Sequence, residues 1–245
     1  MEVVVHETIQ GTYRQTNLRN ESAAYLSKRE ELRLAEIELL NQRERVAELR
    51  RQLPLGATVQ DYEFLEGPAS LAEGDAPVRT IRLSELFTSQ DRPLVIYQLM
   101  YGKRQTTPCP MCTCWLDNFN GVAHHLAQNI DFAIVAAADI PALRAHARSR
   151  GWNKLRLLSA GESTFKYDLG SEDENGNQDS TISVFALDPD GIVRHFYSVH
   201  PRLADDIDTR GIDEYNPVWN ILDLTPQGRR EWDASLEYGT EVRLG

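Results

Sequence analysis

Pro93-Leu94-Val95-Ile96-Tyr97-Gln98-Leu99-Met100-Tyr101, then a loop from Gly102 to Pro108, then Cys109-Pro110-Met111-Cys112: this stretch decides the fold. The first nine residues form a near-continuous apolar run. That pattern fits a central strand buried on both faces rather than a half-exposed one, which would alternate apolar and polar residues. Pro110 suits the first position of a helix, where its missing N–H is not needed. Cys109 then falls at the N-cap. There, free backbone N–H groups and the positive end of the helix dipole favour a thiolate. Lys103 and Arg104 precede it in the loop and are expected to lower its pKa further.

Helical phase separates the three cysteines. Cys112, Trp115, Leu116, Phe119, Val122, Ala123 and Leu126 share one face at the 3–4 spacing, which places Cys112 on the buried side and Cys109 at the exposed tip. Cys112 lies one turn beyond Cys109, within reach for a disulfide after slight adjustment. An exposed attacking thiol backed by a sheltered resolving thiol is the division of labour that disulfide exchange requires. Cys114 is two positions on from Cys112, about 200° around the helix, so it faces away and reads as a spare thiol. C-x-x-C alone is only moderately specific; its place between a buried strand and an amphipathic helix is what gives it weight.

Outward from the motif, Met111 to Ala127 reads as helix, Asp131 to Ala138 as a buried strand, and Pro141 to Arg150 as a helix stopped by Gly151. Leu155 to Ser159 is a short strand. Thr181 to Leu187 and Ile192 to Val199 flank Asp188-Pro189-Asp190-Gly191, a strand–turn–strand signal in which Pro presets φ and Gly accepts φ > 0. Strands alternating with helices predict a parallel sheet, here closed by an antiparallel hairpin. Upstream, Val59 to Phe64 and Thr80 to Leu86 read as short extended pieces. Gly161 to Ser180, with its acidic tip Glu172-Asp173-Glu174, reads as a solvated irregular loop. The tail from Ala204 looks mostly helical.

From Ser22 to Leu53 there is no Gly or Pro, and Tyr25, Leu32, Leu39, Val46 and Leu53 recur every seven residues. A long helix is expected, with one stripe packed on its own domain or on a second copy in a homodimer. The chain is accordingly divided into residues 1–54, an N-terminal arm and helix, and residues 55–245, the redox domain with its C-terminal extension.

Bulk composition narrows the functions. The 245 residues carry 26 Lys plus Arg against 37 Asp plus Glu, a net charge of −11. Without a basic stripe, nucleic acid and acidic membrane surfaces are poor partners. No apolar run approaches the about 20 residues of a membrane span. Met1 to Gly11 lacks a basic segment followed by an apolar one, so no signal peptide is expected and the cytoplasm is the default location. The three cysteines all lie between Cys109 and Cys114, unlike the scattered set of a secreted disulfide scaffold. No cofactor is called for.

Pro108-Cys109-Pro110-Met111-Cys112-Thr113-Cys114-Trp115-Leu116-Asp117-Asn118-Phe119-Asn120-Gly121 resembles the core motif of the DUF899 family. Arg51-Gln52-Leu53-Pro54, Asp61-Tyr62-Glu63-Phe64, Ser84-Glu85-Leu86-Phe87, Met100-Tyr101-Gly102, Trp152 to Ser159 and Asn220-Ile221-Leu222-Asp223-Leu224-Thr225-Pro226 are also similar to that family, so the likeness runs over residues 20–230. The resemblance implies an α/β thioredoxin-like fold: a mixed central sheet flanked by helices, with an added N-terminal helix and a C-terminal helical tail. It assigns the redox pair to Cys109 and Cys112. One departure is Ser180-Thr181-Ile182, where most thioredoxin-like enzymes place a cis-proline opposite the cysteines.

Three functions follow. The leading expectation is thiol–disulfide oxidoreduction, Cys109 attacking and Cys112 resolving, on a disulfide- or peroxide-containing substrate. A second is a peroxiredoxin-like thiol peroxidase, since Thr106-Thr107-Pro108-Cys109 has a T-x-x-C spacing. A third is a soft-metal protein gathering Cu(I) or Zn(II) on Cys109, Cys112 and Cys114 with a histidine. His195 and His200 flank the second hairpin strand, and His200 would near the thiols if the hairpin packed beside the helix.

Overall fold

Strand β3 (Leu94–Leu99) lies in the interior of a seven-stranded sheet, between β4 and β6, in the order β2-β1-β5-β4-β3-β6-β7. Here β1 is Glu63–Glu66, β2 Arg79–Arg82, β4 Asp131–Ala136, β5 Leu157–Ser159, β6 Thr181–Leu187 and β7 Val193–Val199. The computed structural model describes residues 16, 18–205 and 211–237. The reading of Met1 to Gly11 lies outside them.

The apolar run of β3 is explained by two cores. Leu94 and Ile96 point into one, while Tyr97 and Leu99 point into the other. Strand β4 does the same with Ala133 and Val135 against Ile134 and Ala136. Strands β3, β4 and β5 are parallel, joined by helices α2 (Pro110–Leu126) and α3 (Ile140–Arg150). Both helices pack on the same core, as the right-handed crossover requires when successive strands add in one direction. Strand β6 runs antiparallel to β3, and β7 antiparallel to β6. This parallel β-α-β unit continued by an antiparallel hairpin is the thioredoxin-like arrangement.

The other edge departs from the sequence reading. Strand β1 starts at Glu63, not Val59, because the chain before it is taken up by β7: Thr58 bridges Arg194, and Val59 N donates to Val193 O at 3.2 Å. Strands β1 and β2 then form an antiparallel hairpin on β5. The irregular stretch after β5 is not a solvated loop. It holds a short helix α4 (Phe165–Asp168), and Phe165, Lys166 and Ser171 are fully buried. The described part of the tail contains helix α5 (Pro217–Leu222), which sets Trp219 into the core beside Trp115.

The chain divides into two units, residues 1–52 and 53–245. In the first, helix α1 (Ala23–Arg51) is capped by Ser22, whose Oγ accepts from Tyr25 N at 3.1 Å. Pairs such as Arg33–Glu30 and Arg51–Glu48 line it, and none of its residues is buried. Among the described residues, no helix is long and apolar enough to cross a membrane.

Candidate active site at the head of helix α2

Strand β3 ends against a turn that only glycine permits. Gly102 has φ +103°, and a Cβ there would stand 2.1 Å from Ala138 N. The turn closes through Gly102 N to Gln105 O at 2.7 Å and the reverse bond at 3.0 Å. The chain then returns so that Cys109 N donates to Met100 O at 3.1 Å. Cys109 is the N-cap of α2, its Sγ accepting from Cys112 N at 3.4 Å, with Pro110 in the first turn. Thr113 reinforces this start: its Oγ1 donates to Cys109 O at 3.0 Å and lies 3.0 Å from His146 Nε2.

The three cysteines are free thiols in three environments. Cys109 is half-buried and Cys112 is 2% exposed. The Cys109 thiol is lowered to about 6, first by the Cys112 S–H donating to its sulfur and then by the backbone N–H groups of Cys112 and Met111; burial and the Asp179 carboxylate oppose this. Cys112 is pushed the other way, well above the ordinary thiol range. Burial dominates there, and the Cys109 sulfur adds to it. The Met100 N–H and the nearby Tyr97 hydroxyl act against that rise. Tyr97 Oη is itself buried with no partner in hydrogen-bonding geometry. The two sulfurs therefore share one proton unequally, with the more accessible one as thiolate.

The loop cations, expected from their sequence position to act on Cys109, are bonded elsewhere. Lys103 pairs with Glu172, and Arg104 Nη1 donates to Asn175 O at 3.2 Å. The acidic segment that reads as a solvated tip has drawn them away. Gln178 ties that segment to the turn, its Oε1 accepting from Tyr101 N at 3.2 Å and its Nε2 donating to Gly102 O at 2.9 Å.

Cys114 turns aside and its Sγ lies 3.7 Å from Asn216 Nδ2, next to α5. Burial raises its pKa. Among the described residues no group of three or more His, Cys, Asp or Glu could hold a metal ion. His195 and His200 line a different cleft with Tyr62 and Asp168, and His200 Nδ1 is 3.0 Å from Thr181 Oγ1. Thr106 is exposed on the loop, and the bonds to the Cys109 sulfur come from Cys112 and the helix backbone instead.

A half-open cleft of about 220 Å³ lies beside the motif, lined by Met111, Trp115, Ser180, Trp219, Arg230 and Trp232 among others. Ser180 is thus at the site, in the place where the sequence lacks a proline. Sequence reasoning did not find Tyr97, His146, Lys166 or Asp179 as neighbours of the pair. Each comes from a different element, and no local pattern marks them.

Among solved structures, the fold is similar to Mycobacterium bovis AhpC (18% identity, 74% of this chain and 98% of that one, TM-score 0.44). It is also similar to the reduced 2-Cys peroxiredoxin of Plasmodium vivax (12%, 69% and 96%, 0.45) and to reduced Prx3 of Vibrio vulnificus in complex with H2O2 (15%, 66% and 94%, 0.43). No curated protein matches. A family described as bacterial protein of unknown function, DUF899, matches residues 15–241; the chain belongs to this family.

Proposed function

We propose that this chain is a thiol–disulfide oxidoreductase in which Cys109 attacks and Cys112 resolves. One observation carries the reading: Cys109 stands half-buried at the N-cap of α2 with its sulfur accepting from Cys112 N, and Cys112 lies one turn on and 2% exposed. This arrangement favours the thiolate on Cys109 and the proton on Cys112. The Cys109 thiolate attacks a substrate disulfide RSSR, an Sγ–S bond forms, and RS⁻ departs. Cys112 then loses its proton to the second departing RS⁻ as its sulfur attacks Cys109 Sγ. The pair becomes a disulfide, and two electrons pass to the substrate. The substrate enters by the indole-lined cleft beside Met111.

The peroxidase reading rests on the same thiolate and has no support from Thr106, which is exposed. In this proposal the chain works in a reducing compartment, the cytoplasm, where three cysteines clustered between Cys109 and Cys114 serve exchange rather than structural bridging. In this proposal the chemistry belongs to residues 55–245. Residues 1–54 serve as arm and pairing helix, α1 joining a second copy through Tyr25, Leu32 and Leu39, which it leaves exposed.

The test is thiol labelling and mass spectrometry across a series of glutathione redox ratios. A Cys109–Cys112 disulfide should form at a defined ratio, persist in Cys114→Ser and vanish in Cys109→Ser and in Cys112→Ser. If no such disulfide forms at any ratio, the proposal fails. Sulfenate on Cys109 appearing within the mixing time of stopped-flow peroxide addition would favour the peroxidase instead.

A further inference from the structure

Lys166 is 1% exposed, an unusual place for an ammonium group. Its Nζ donates to Leu99 O at 3.3 Å. That carbonyl belongs to the peptide whose N–H, on Met100, is directed at the Cys112 sulfur. In a trans peptide the C=O and N–H point in opposite directions, so the lysine and the buried thiol address two ends of one amide. A cation on the carbonyl draws electron density from the amide and makes its N–H a stronger donor. The lysine thereby favours a charged sulfur at Cys112, the state that attack on Cys109 requires.

The surroundings of Lys166 keep it charged. Glu172 pairs with Lys103 through Oε1, while its Oε2 is buried with no partner. Burial lowers Lys166 to about 8; Cys112, Glu172 and Asp179 act to raise it and Lys103 to lower it. The groups facing this lysine are thus Cys112 from α2, Lys103 from the turn after β3, and Glu172 and Asp179 from the segment after α4, with Tyr97 and Cys109 across Cys112. Of these groups Asp179 also bears on Cys109, whose thiol it raises; the lowering of Cys109 comes first from Cys112 and then from the helix backbone.

We propose that Lys166 is a positioning residue for the resolving step, supporting ionisation of Cys112 through the Leu99–Met100 peptide and held charged by the buried Glu172 carboxylate. The proposal rests on the oxidoreductase reading above. The substrate step is unchanged in its balance: Lys166 stays an ammonium, and the Cys112 proton leaves with the displaced thiolate.

The test uses the full chain with Cys114→Ser and dithiobis(nitrobenzoate) as the substrate disulfide. The first thionitrobenzoate released reports attack by Cys109 and the second reports resolution by Cys112. Lys166→Met should slow the second release at pH 7 by about tenfold, equivalent to one pKa unit on Cys112, and change the first by no more than about twofold. Equal slowing of both releases, or of neither, overturns the proposal.

A second measurement is independent of turnover. In a Cys109→Ser, Cys114→Ser chain the Cys109 sulfur no longer holds Cys112 protonated, so its midpoint falls toward the measurable range. Followed by NMR of ¹³Cβ-labelled cysteine, that midpoint should rise on Lys166→Met. It should also rise on Lys166→Gln, a polar change that likewise removes the ammonium and carries the test if the methionine variant does not fold. An unmoved Cys112 midpoint in the folded variants refutes the lysine's role. A wild-type chain that forms no disulfide refutes the oxidoreductase reading, and the midpoints still decide the lysine.

Discussion

The Cys112 thiol should control how reactive Cys109 is before any disulfide forms. The largest contribution to the low Cys109 pKa is the S–H of Cys112, ahead of the two backbone N–H groups, and together they bring the thiol from 9.0 to about 6 against the cost of burial. Removing the largest of three favourable contributions should return about one pKa unit or more of that shift, worth about 1.4 kcal/mol per unit. Cys112→Ala therefore moves the Cys109 midpoint from about 6 to about 7 or higher, whereas Cys112→Ser keeps an O–H donor and stays near the wild-type value. The assay is the rate of iodoacetamide alkylation against pH in the Cys114→Ser background. The rate rises with pH as the thiolate forms. At pH 6 the thiolate fraction drops from about one-half to about one-tenth in the alanine variant, so alkylation slows about fivefold. The two curves should converge above about pH 8, where both thiols are ionised. If Cys112→Ala titrates as the wild type does, the helix N-terminus alone sets the thiolate and the shared proton is not the cause. If the serine variant shifts as far as the alanine variant, loss of the sulfur, not of the donor, is responsible.

Other perturbations separate the site from its scaffold. Gly102→Ala forces a Cβ to 2.1 Å from Ala138 N at a positive φ; about 2 kcal/mol or more should be lost, with a lowered urea midpoint and a displaced cysteine loop. Arg144, 4% exposed, donates to the carbonyls of Pro68, Ser70 and Gly74 and pairs with Asp75. Arg144→Met releases the loop of residues 68–75 that these bonds hold against α3; its acceptors can turn to water, so Tm should fall by only about 6 °C for about 2 kcal/mol, with the Cys109 midpoint unmoved. Leu32→Glu with Leu39→Glu on α1 should shift the chain from dimer to monomer in light scattering while leaving Cys109 alkylation unchanged; a wild-type monomer removes the pairing role.

The motif was legible because its determinants are local. The apolar run of β3, Pro110 at the helix start and the 3–4 spacing through Trp115 and Phe119 place Cys109 at a cap and Cys112 in the core without reference to distant residues. The same phase argument sends Cys114 away from the pair, toward Asn216. Adjacency along the chain was a poorer guide. Lys103 and Arg104 stand near Cys109 in sequence, yet their charges are taken by residues about 70 positions on. Sequence distance hides the reverse case as well: Lys166 and the carbonyl it binds are 67 residues apart. A lysine between Phe165 and Tyr167 looks like any solvated charge until the sheet brings Leu99 and Glu172 against it.

The segment after β5 had no regular pattern because its order comes from what it covers. Ser171 Oγ donates to Gln98 Oε1 and lies 3.1 Å from Lys166 O, and Gln98 Nε2 donates to Ser183 Oγ at 3.0 Å. A polar strand residue at 98 would break an apolar core if unpaired; here it is what binds the irregular segment to the sheet. Gln98 and Ser171 therefore form one device: the strand supplies a buried amide, and the segment supplies the hydroxyl that satisfies it. That pairing fixes the backbone from which Lys166 reaches Leu99 O and Glu172 reaches Lys103. A change at Gln98 would thus reach the cysteines without touching them, by releasing the segment that carries their buried charges.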